Sequence, residues 1–139
     1  ILIYFALLHD IGRTDDEEDH RHGKASVERI EREGIEIEDL AINRKDRRIA
    51  NAIIQYHSRP DEEGYAAFAA RRKKYSADEY ARLLKLYAIC KDMDGLDRVW
   101  FNGLDIFMLR TSYAKKLPLI AGCLLQENIV NAVFYPPKE

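Results

Sequence analysis

The first ten residues place the strongest constraint on how this chain can fold. Eight apolar residues, Ile1–Leu8, run directly into the adjacent pair His9 and Asp10. An apolar run of this kind belongs in a core, where a buried imidazole or carboxylate without a partner is strongly unfavourable. The pair must therefore meet hydrogen-bond partners or a bound cation, and a cation would satisfy both groups together.

The segments that follow are patterned for helices. One helix is expected from near His20 to the natural stop at Gly34, and another over about 44–56. In the second, Ile49, Ile53 and His57 recur at i, i+4 and i+8, which places them on one face. The side chain of His57 is therefore expected to point where the core residues point.

A long helix near the middle of the chain carries an aspartate on its apolar stripe. Ser76 and Glu79 have the spacing of a capping box that opens this helix. Asp94 lies one turn after Cys90, on the stripe that Leu83 and Tyr87 begin, and a carboxylate there needs a partner. Asp92 is rotated about 160° from Asp94 around the helix and is expected in solvent.

The overall pattern predicts an all-α fold. Period-two alternation over strand lengths is absent, and the region from Val99 to Phe134 predicts one or two closing helices around a loop at 110–116. A helical bundle of about five to seven helices fits this pattern. The 139 residues are expected to form a single domain, 1–139. The fully apolar beginning predicts that an upstream helix is missing, so that the domain is incomplete at its N-terminus.

Composition narrows the class of partner. Lys and Arg number 22 against 24 Asp and Glu, a formal net charge of −2, which argues against a general nucleic-acid binder. The apolar opening is too short to span a bilayer, so no membrane partner is expected. Cys90 and Cys123 show no paired metal-ligand spacing and are expected to be reduced core residues of a cytoplasmic protein.

Taken together, the motifs resemble the HD superfamily of metal-dependent phosphohydrolases, which are all-helical domains named for an adjacent His-Asp pair. The resemblance covers most of the chain. It rests on four segments: Ala6–Arg13 with the His-Asp pair, His22-Gly23, His57-Ser58 and Lys91–Arg98. A lone His-Asp pair is weak, but the ordered set is much more specific.

The resemblance implies a set of metal ligands. His9, Asp10 and Asp94 would hold a first divalent ion, and His22 and His57 would hold a second one in dinuclear members. The superfamily also uses an earlier histidine, which has no counterpart in this chain. One or two ions per chain are therefore expected.

The ligand types suit Mn, Fe, Co, Ni or Mg as the divalent metal ion, and the lack of thiolate argues against structural zinc. Such an ion lowers the pKa of its water and supplies hydroxide for attack on phosphorus. Besides its place in the metal shell, Asp10 is expected to be essential for catalysis. Arg13, three residues later, either clamps a substrate phosphate or pairs with the acidic run 15–19.

The resulting hypothesis is a metal-dependent phosphohydrolase that acts on a nucleotide or another small phosphoester by attack of metal-bound hydroxide. A di-iron oxygenase on the same scaffold is one alternative, and a non-catalytic domain that binds a nucleotide or a partner is another. Substrate identity, the metal and the oligomeric state, with a homodimer as one option, are not readable from the sequence.

Overall fold

A computed structural model describes residues 1–14, 19–38, 40–101, 104–124 and 126. No strand occurs among these residues, and the all-α prediction is confirmed. Residues 118–124 are helical as well. Five α-helices have the bounds α1 Leu2–Leu8, α2 His22–Glu33, α3 Arg44–Tyr56, α4 Asp61–Ala70 and α5 Ala77–Asp97. Short 3₁₀ helices lie at Arg72–Lys74, Arg98–Phe101, Ile106–Met108 and Ala114–Lys116.

The chain forms two compact units, Ile1–Cys90 and Lys91–Glu139. Helix α5 begins in the first unit and ends in the second. Within the described residues, no helix is both long and apolar enough to cross a membrane. The single-domain organisation stays a prediction.

Helix α1 contributes only one face to the core of the first unit. Tyr4 and Phe5 are at most 1% exposed and Leu8 is 6% exposed, whereas Ile3 and Leu7 are 61% and 56% exposed. The sequence predicted burial of the whole run. A helix that packs on one side buries only the positions that share that side, so half of an apolar run stays outside.

Helix α3 matches its predicted bounds and packs against α1, α2 and α4. Its N-cap is Asn43, whose side chain accepts hydrogen bonds from two backbone N–H groups of the first turn. Ile49 and Ile53 are fully buried, and His57 follows as the C-cap, 2% exposed. The predicted face is therefore confirmed, and it delivers an imidazole into the interior.

Helix α4 was not predicted. Its apolar residues, most of them alanines, do not gather on one face, so the sequence gives no amphipathic signal there. Tertiary contacts hold this helix instead: a Cβ at Gly64 would overlap the ring of Tyr87, and Phe68 is 1% exposed. The close approach of α4 and α5 at Gly64 requires a residue without a side chain.

Helix α5 begins as predicted. The backbone N–H of Ser76 donates to Glu79 Oε2 at 2.8 Å, and the N–H of Glu79 donates to Ser76 Oγ at 3.2 Å. Further along, the predicted apolar stripe is confirmed, because Leu83, Tyr87 and Cys90 are fully buried.

Two expectations for the second unit are wrong. Asp92 is 2% exposed and accepts hydrogen bonds from the backbone N–H groups of Arg110 and Thr111. The helical wheel gave the wrong expectation because the chain folds back over the side of α5 that carries Asp92. Cys123 is exposed and therefore lies outside the core. The predicted loop over 110–116 contains a 3₁₀ helix, and the end of the predicted closing region, from 127 on, lies outside the described residues.

Candidate metal centre

Three histidines of the first unit meet at the ends of three helices. His9 is the C-cap of α1, His22 is the first residue of α2, and His57 is the C-cap of α3. Asp10 follows His9 directly and places its carboxylate among the three rings. The sequence predicted these four residues as ligands, and the fold of the first unit brings all four together.

Each ring is oriented by a hydrogen bond from its Nδ1 atom to a backbone carbonyl. His9 Nδ1 lies 3.1 Å from Phe5 O, His57 Nδ1 lies 2.7 Å from Ile54 O, and His22 Nδ1 contacts Asp19 O. A carbonyl oxygen only accepts, so Nδ1 carries the proton in all three rings. In the neutral ring the lone pair then lies on Nε2, the arrangement that second-shell carbonyls impose on metal-ligating histidines.

The spacing of three of these atoms fits one common ion. Nε2 of His22 and Nε2 of His57 are 3.0 Å apart. Asp10 Oδ1 lies 3.1 Å from the first of them and 3.4 Å from the second. Ligand atoms about 2.1 Å from one ion are separated by about 3.0 Å at right angles and about 3.4 Å at the tetrahedral angle. All three distances fall within that interval, so these residues fit a divalent ion.

His9 approaches the other oxygen of the same carboxylate. Its Nε2 lies 3.6 Å from Asp10 Oδ2, and ligand atoms of His9, Asp10 and His57 all lie within 4.8 Å of one another. The two carboxylate oxygens therefore face different histidines. A carboxylate so placed can hold one ion or lie between two.

The Oδ1 atom of Asp10 is buried and receives no well-formed hydrogen bond among the described residues. With the neighbouring rings neutral, it faces lone pairs. A second proton on a ring, or a cation, removes this conflict. The Asp10 carboxylate accordingly raises the pKa of His22, against the lowering effect of burial.

The pKa of Asp10 moves in the opposite direction. Burial raises the pKa of this carboxyl, but the imidazoles of His22 and His57, 3.1 and 3.4 Å from Oδ1, lower it by more because each donates to Oδ1 once its ring is protonated. Its pKa therefore lies well below the ordinary range, and the group is a carboxylate at any physiological pH. A permanent carboxylate beside three imidazoles is a donor set for a hard or borderline divalent ion.

Arg13 lies beside this carboxylate. Its Nη1 atom is 3.5 Å from Asp10 Oδ2, whereas His22 and His57 approach Oδ1, the other oxygen of this carboxylate. Both interpretations of Arg13 stay open, because residues 15–18 of the acidic run lie outside the described residues. The guanidinium is nevertheless close enough to the cluster to contact an anion bound there.

Ser26 is a positioning residue that the sequence analysis missed. Its hydroxyl donates to the backbone carbonyl of His9 at 2.6 Å and accepts from the N–H of Gly12 at 2.9 Å. A Cβ on Gly12 would overlap the backbone of Ser26, and one on Gly23 would overlap the carbonyl of Ile54. The signal available in the sequence was the spacing of two small residues in α2: Gly23 directly follows His22, and Ser26 follows it by one helical turn.

Other contacts fix the imidazole planes and the approach to α2. The ring of Phe5 stacks on His9 with centroids 4.7 Å apart and meets His57 edge-on at 5.5 Å. His20 Nδ1 donates to Ser58 O at 2.9 Å, and Ser58 Oγ donates to His20 O at 3.0 Å. These bonds tie the segment before α2 to the residue after His57.

Asp94, the fifth predicted ligand, lies on the part of α5 that belongs to the second unit. Its side chain is half-buried. Its participation in the centre stays a prediction.

Comparison with known families gives one match. The family model for the HD domain matches residues 1–99, more than half of the 139-residue chain. Searches of curated proteins and of solved structures gave no significant match.

Proposed function

The chain belongs to the HD domain family, and on that premise we propose that it is a metal-dependent phosphohydrolase acting on a nucleotide or another small phosphoester. The family suggests a hydrolase that binds divalent metals. The observation that carries the proposal is the set of three ligand atoms, from Asp10, His22 and His57, spaced 3.0–3.4 Å apart with each ring held by a backbone carbonyl.

The chain's own residues supply the shell for the ion. Asp10, His22 and His57 would hold one ion, and His9 would contact the second oxygen of Asp10. A divalent ion bound there lowers the pKa of water toward neutrality and withdraws negative charge from phosphoryl oxygens. Mn, Fe, Co, Ni and Mg all suit nitrogen and carboxylate ligands.

Asp94 is proposed as a further ligand. It lies in the segment Lys91–Arg98, which resembles the family, and an added carboxylate would complete a first ion site with His9 and Asp10. The exposed Asp97, three residues later on α5, provides a matched comparison, since its replacement removes the same charge.

Arg13 is proposed to bind the substrate phosphate. Its guanidinium is paired with Asp10 at 3.5 Å, so the side chain is already directed at the cluster. An incoming phosphate oxygen offers it a bidentate partner. The Asp10 carboxylate would then be left to the ion.

We expect the enzyme to act in the cytoplasm, in agreement with the two free cysteines, and to need neither a membrane nor a nucleic acid. A homodimer is the oligomeric state to test first.

The decisive experiment measures metal content and phosphate release together. The wild type should carry one or two ions per chain and release phosphate from at least one member of a nucleotide and phosphoester panel assayed with Mn²⁺, Co²⁺, Ni²⁺ and Mg²⁺. His57→Ala and Asp94→Ala should each lower the metal content. His20→Ala and Asp97→Ala serve as controls that keep it.

Several outcomes would contradict the proposal. A metal-loaded wild type that releases no phosphate from the whole panel would favour a non-catalytic domain. Unchanged metal content in His57→Ala would remove the assignment of this ligand, and unchanged content in Asp94→Ala would remove that of Asp94.

A di-iron oxygenase is the second candidate. Two histidines and one carboxylate on one side of an ion are also the ligand set of non-haem iron oxygenases. Iron-loaded protein with the Mössbauer spectrum of a mixed-valence iron pair, and oxygen consumption in place of phosphate release, would favour it.

A further inference from the structure

Helix α3 also has a polar face, on the side of the helix that points away from the metal centre. Its residues recur at i, i+4, i+7 and i+11, and at about 100° per residue they lie opposite the face of Ile53 and His57. These residues line a cleft of about 640 Å³. The residues in question are Arg44, Arg48, Asn51 and Gln55.

The cleft is strongly basic. It is lined by six cationic side chains and by one carboxylate, that of Glu31, although the whole chain has a net charge of −2. The cations come from α3 and from the segment after α4. They are Arg44, Lys45, Arg47, Arg48, Arg71 and Lys74.

Within the part of the chain that the structure describes, three of these six cations have a carboxylate at ion-pair distance. Lys45 and Arg48 share Glu79, at 3.8 Å and 3.1 Å, and Arg47 pairs with Glu36 at 3.0 Å. Among the described residues, no carboxylate lies within ion-pair distance of the other three cations, Arg44, Arg71 and Lys74. Six cations against Glu31, Glu36 and Glu79 leave a charge of +3 at the cleft.

One wall of the cleft suits a heteroaromatic ring. Val27, Ala52 and Tyr75 line it, and the guanidinium of Arg48 lies 5.0 Å from the centroid of the Tyr75 ring. Asn51 Oδ1 is buried, and no hydrogen bond reaches it from the described residues. A buried carbonyl oxygen without a donor is costly, so a ligand N–H at this position would be favourable.

We propose that the cleft binds a nucleoside polyphosphate: the cations take its phosphates, and Asn51 Oδ1 accepts a hydrogen bond from its base. Three uncompensated cations require a ligand with at least two phosphates close together. A volume of about 640 Å³ is in the range of small-ligand sites. This site is separate from the metal centre, and its existence does not depend on phosphohydrolase activity.

The test measures binding by calorimetry, with EDTA present and Asp10→Ala as the parent chain, so that neither metal binding nor hydrolysis contributes. ATP and inorganic tripolyphosphate are the two probes. Adding Arg44→Ala and Lys74→Ala should raise the Kd for both probes at least tenfold. The control pair, Lys73→Ala and Lys85→Ala, removes the same charge from exposed positions outside the cleft lining and should change Kd less than threefold.

A variant of Asn51 separates the base from the phosphates. Asn51→Ala should raise the Kd for ATP at least fivefold and leave the Kd for tripolyphosphate unchanged. Circular dichroism checks that the variant keeps its fold. Equal Kd values for the two probes, both insensitive to Asn51→Ala, would overturn the nucleoside assignment. Kd values that do not change in the cleft variants, or no binding of either probe, would overturn the assignment of the cleft as a binding site. Displacement of ATP by a single-stranded RNA oligonucleotide at much lower concentration would identify a nucleic-acid surface instead.

Discussion

Asp10 and Asp92 lie in different units of the chain, and their surroundings differ in kind. Asp92 is 2% exposed, and its two oxygens accept backbone N–H groups of Arg110 and Thr111 at 2.6 and 2.8 Å. The Oδ1 atom of Asp10 faces ring nitrogens of His22 and His57, and no described residue gives it a well-formed hydrogen bond. Backbone donors are permanent, so the fold alone satisfies Asp92. Asp10 needs a protonated ring or a cation as the partner of its Oδ1 atom, as a carboxylate in a ligand-binding site does.

The two aspartates should separate most clearly in metal content and activity. Asp10→Ala should lower kcat/KM for phosphate release at least about a thousandfold and abolish metal binding, because the carboxylate belongs to the proposed shell. Asp92→Asn, which keeps the shape of the side chain, should keep the metal. Metal analysis and a phosphate assay check this, and equal loss in both variants would break the comparison.

Stability should show the reverse order. Asp92→Ala leaves two backbone N–H groups without acceptors and should lower the free energy of unfolding by about 2–4 kcal/mol. Asp97→Ala, at an exposed position on the same helix, should change it by less than about 0.5 kcal/mol. Urea unfolding followed by circular dichroism measures both. A similar small loss in the two variants would mean that the Asp92 bonds contribute little.

The hydroxyl of Ser26 tests whether the loop that carries Asp10 must be held in place. Ser26→Ala should weaken metal affinity about 10- to 100-fold, as removal of supporting hydrogen bonds does at metal sites. Ser76→Ala removes a helix cap in the same unit and should lower the melting temperature without changing metal affinity. Metal titration of both variants decides, and equal affinities would restrict Ser26 to a role in stability.

Each aspartate also has an arginine nearby, and only one of these should affect kinetics. Arg13 lies 3.5 Å from Asp10, and Arg110 lies 3.6 Å from Asp92. Arg13→Ala should raise KM or lower kcat/KM about 3- to 30-fold with metal content unchanged, because one charge-assisted contact to phosphate is lost. Arg110→Ala should leave both constants within about twofold. Unchanged values of both KM and kcat/KM in Arg13→Ala would favour the pairing of Arg13 with the acidic run.

The smallest expected effect is a pH dependence of stability in the chelated protein. Asp10 raises the pKa of His22 above 6.5. The stability that this pair contributes to the folded state is therefore fully present below pH 6.5 and is lost as pH rises through the raised value. Burial raises the pKa of Asp10, but the histidines lower it further, below 3.8, so its contribution is lost only as pH falls through the lowered value.

The melting-temperature difference between wild type and Asp10→Ala should therefore be largest between pH 3.8 and 6.5 and smaller at pH 9. It is measured in EDTA. A difference that does not change with pH would show that the ion pair is not formed without metal.

The metal-site candidates in the first unit could be read from the sequence, but their support could not. His9 and Asp10 follow the apolar run Ile1–Leu8, and His57 follows a helix that was predicted from period-3.6 spacing. The signals for Ser26 and Phe5 are much less specific, because a small residue one turn after a histidine, or a phenylalanine within an apolar run, has many structural uses. Their roles follow from the partner each meets across another helix.

The errors have the same origin. Asp92 lies near the end of α5, and a helical wheel assigns a side chain only relative to its own helix. The wheel could not show that residues 110 and 111 return to the far side and bury Asp92. Likewise α4 has no amphipathic face, and its position depends on the contact between Gly64 and Tyr87.

By itself, the sequence determined the all-helical class, the bounds of α3, the cap of α5, the family and the residue types available for a metal. These depend on local periodicity, capping chemistry and motif order, which are properties of neighbouring residues. Only the tertiary structure decided that His22 and His57 lie 3.0 Å apart, that Asp10 Oδ1 receives no well-formed hydrogen bond from the described residues, and that six cations line one cleft. Such distances join residues far apart in the chain, and they are set by how close two helices can pack.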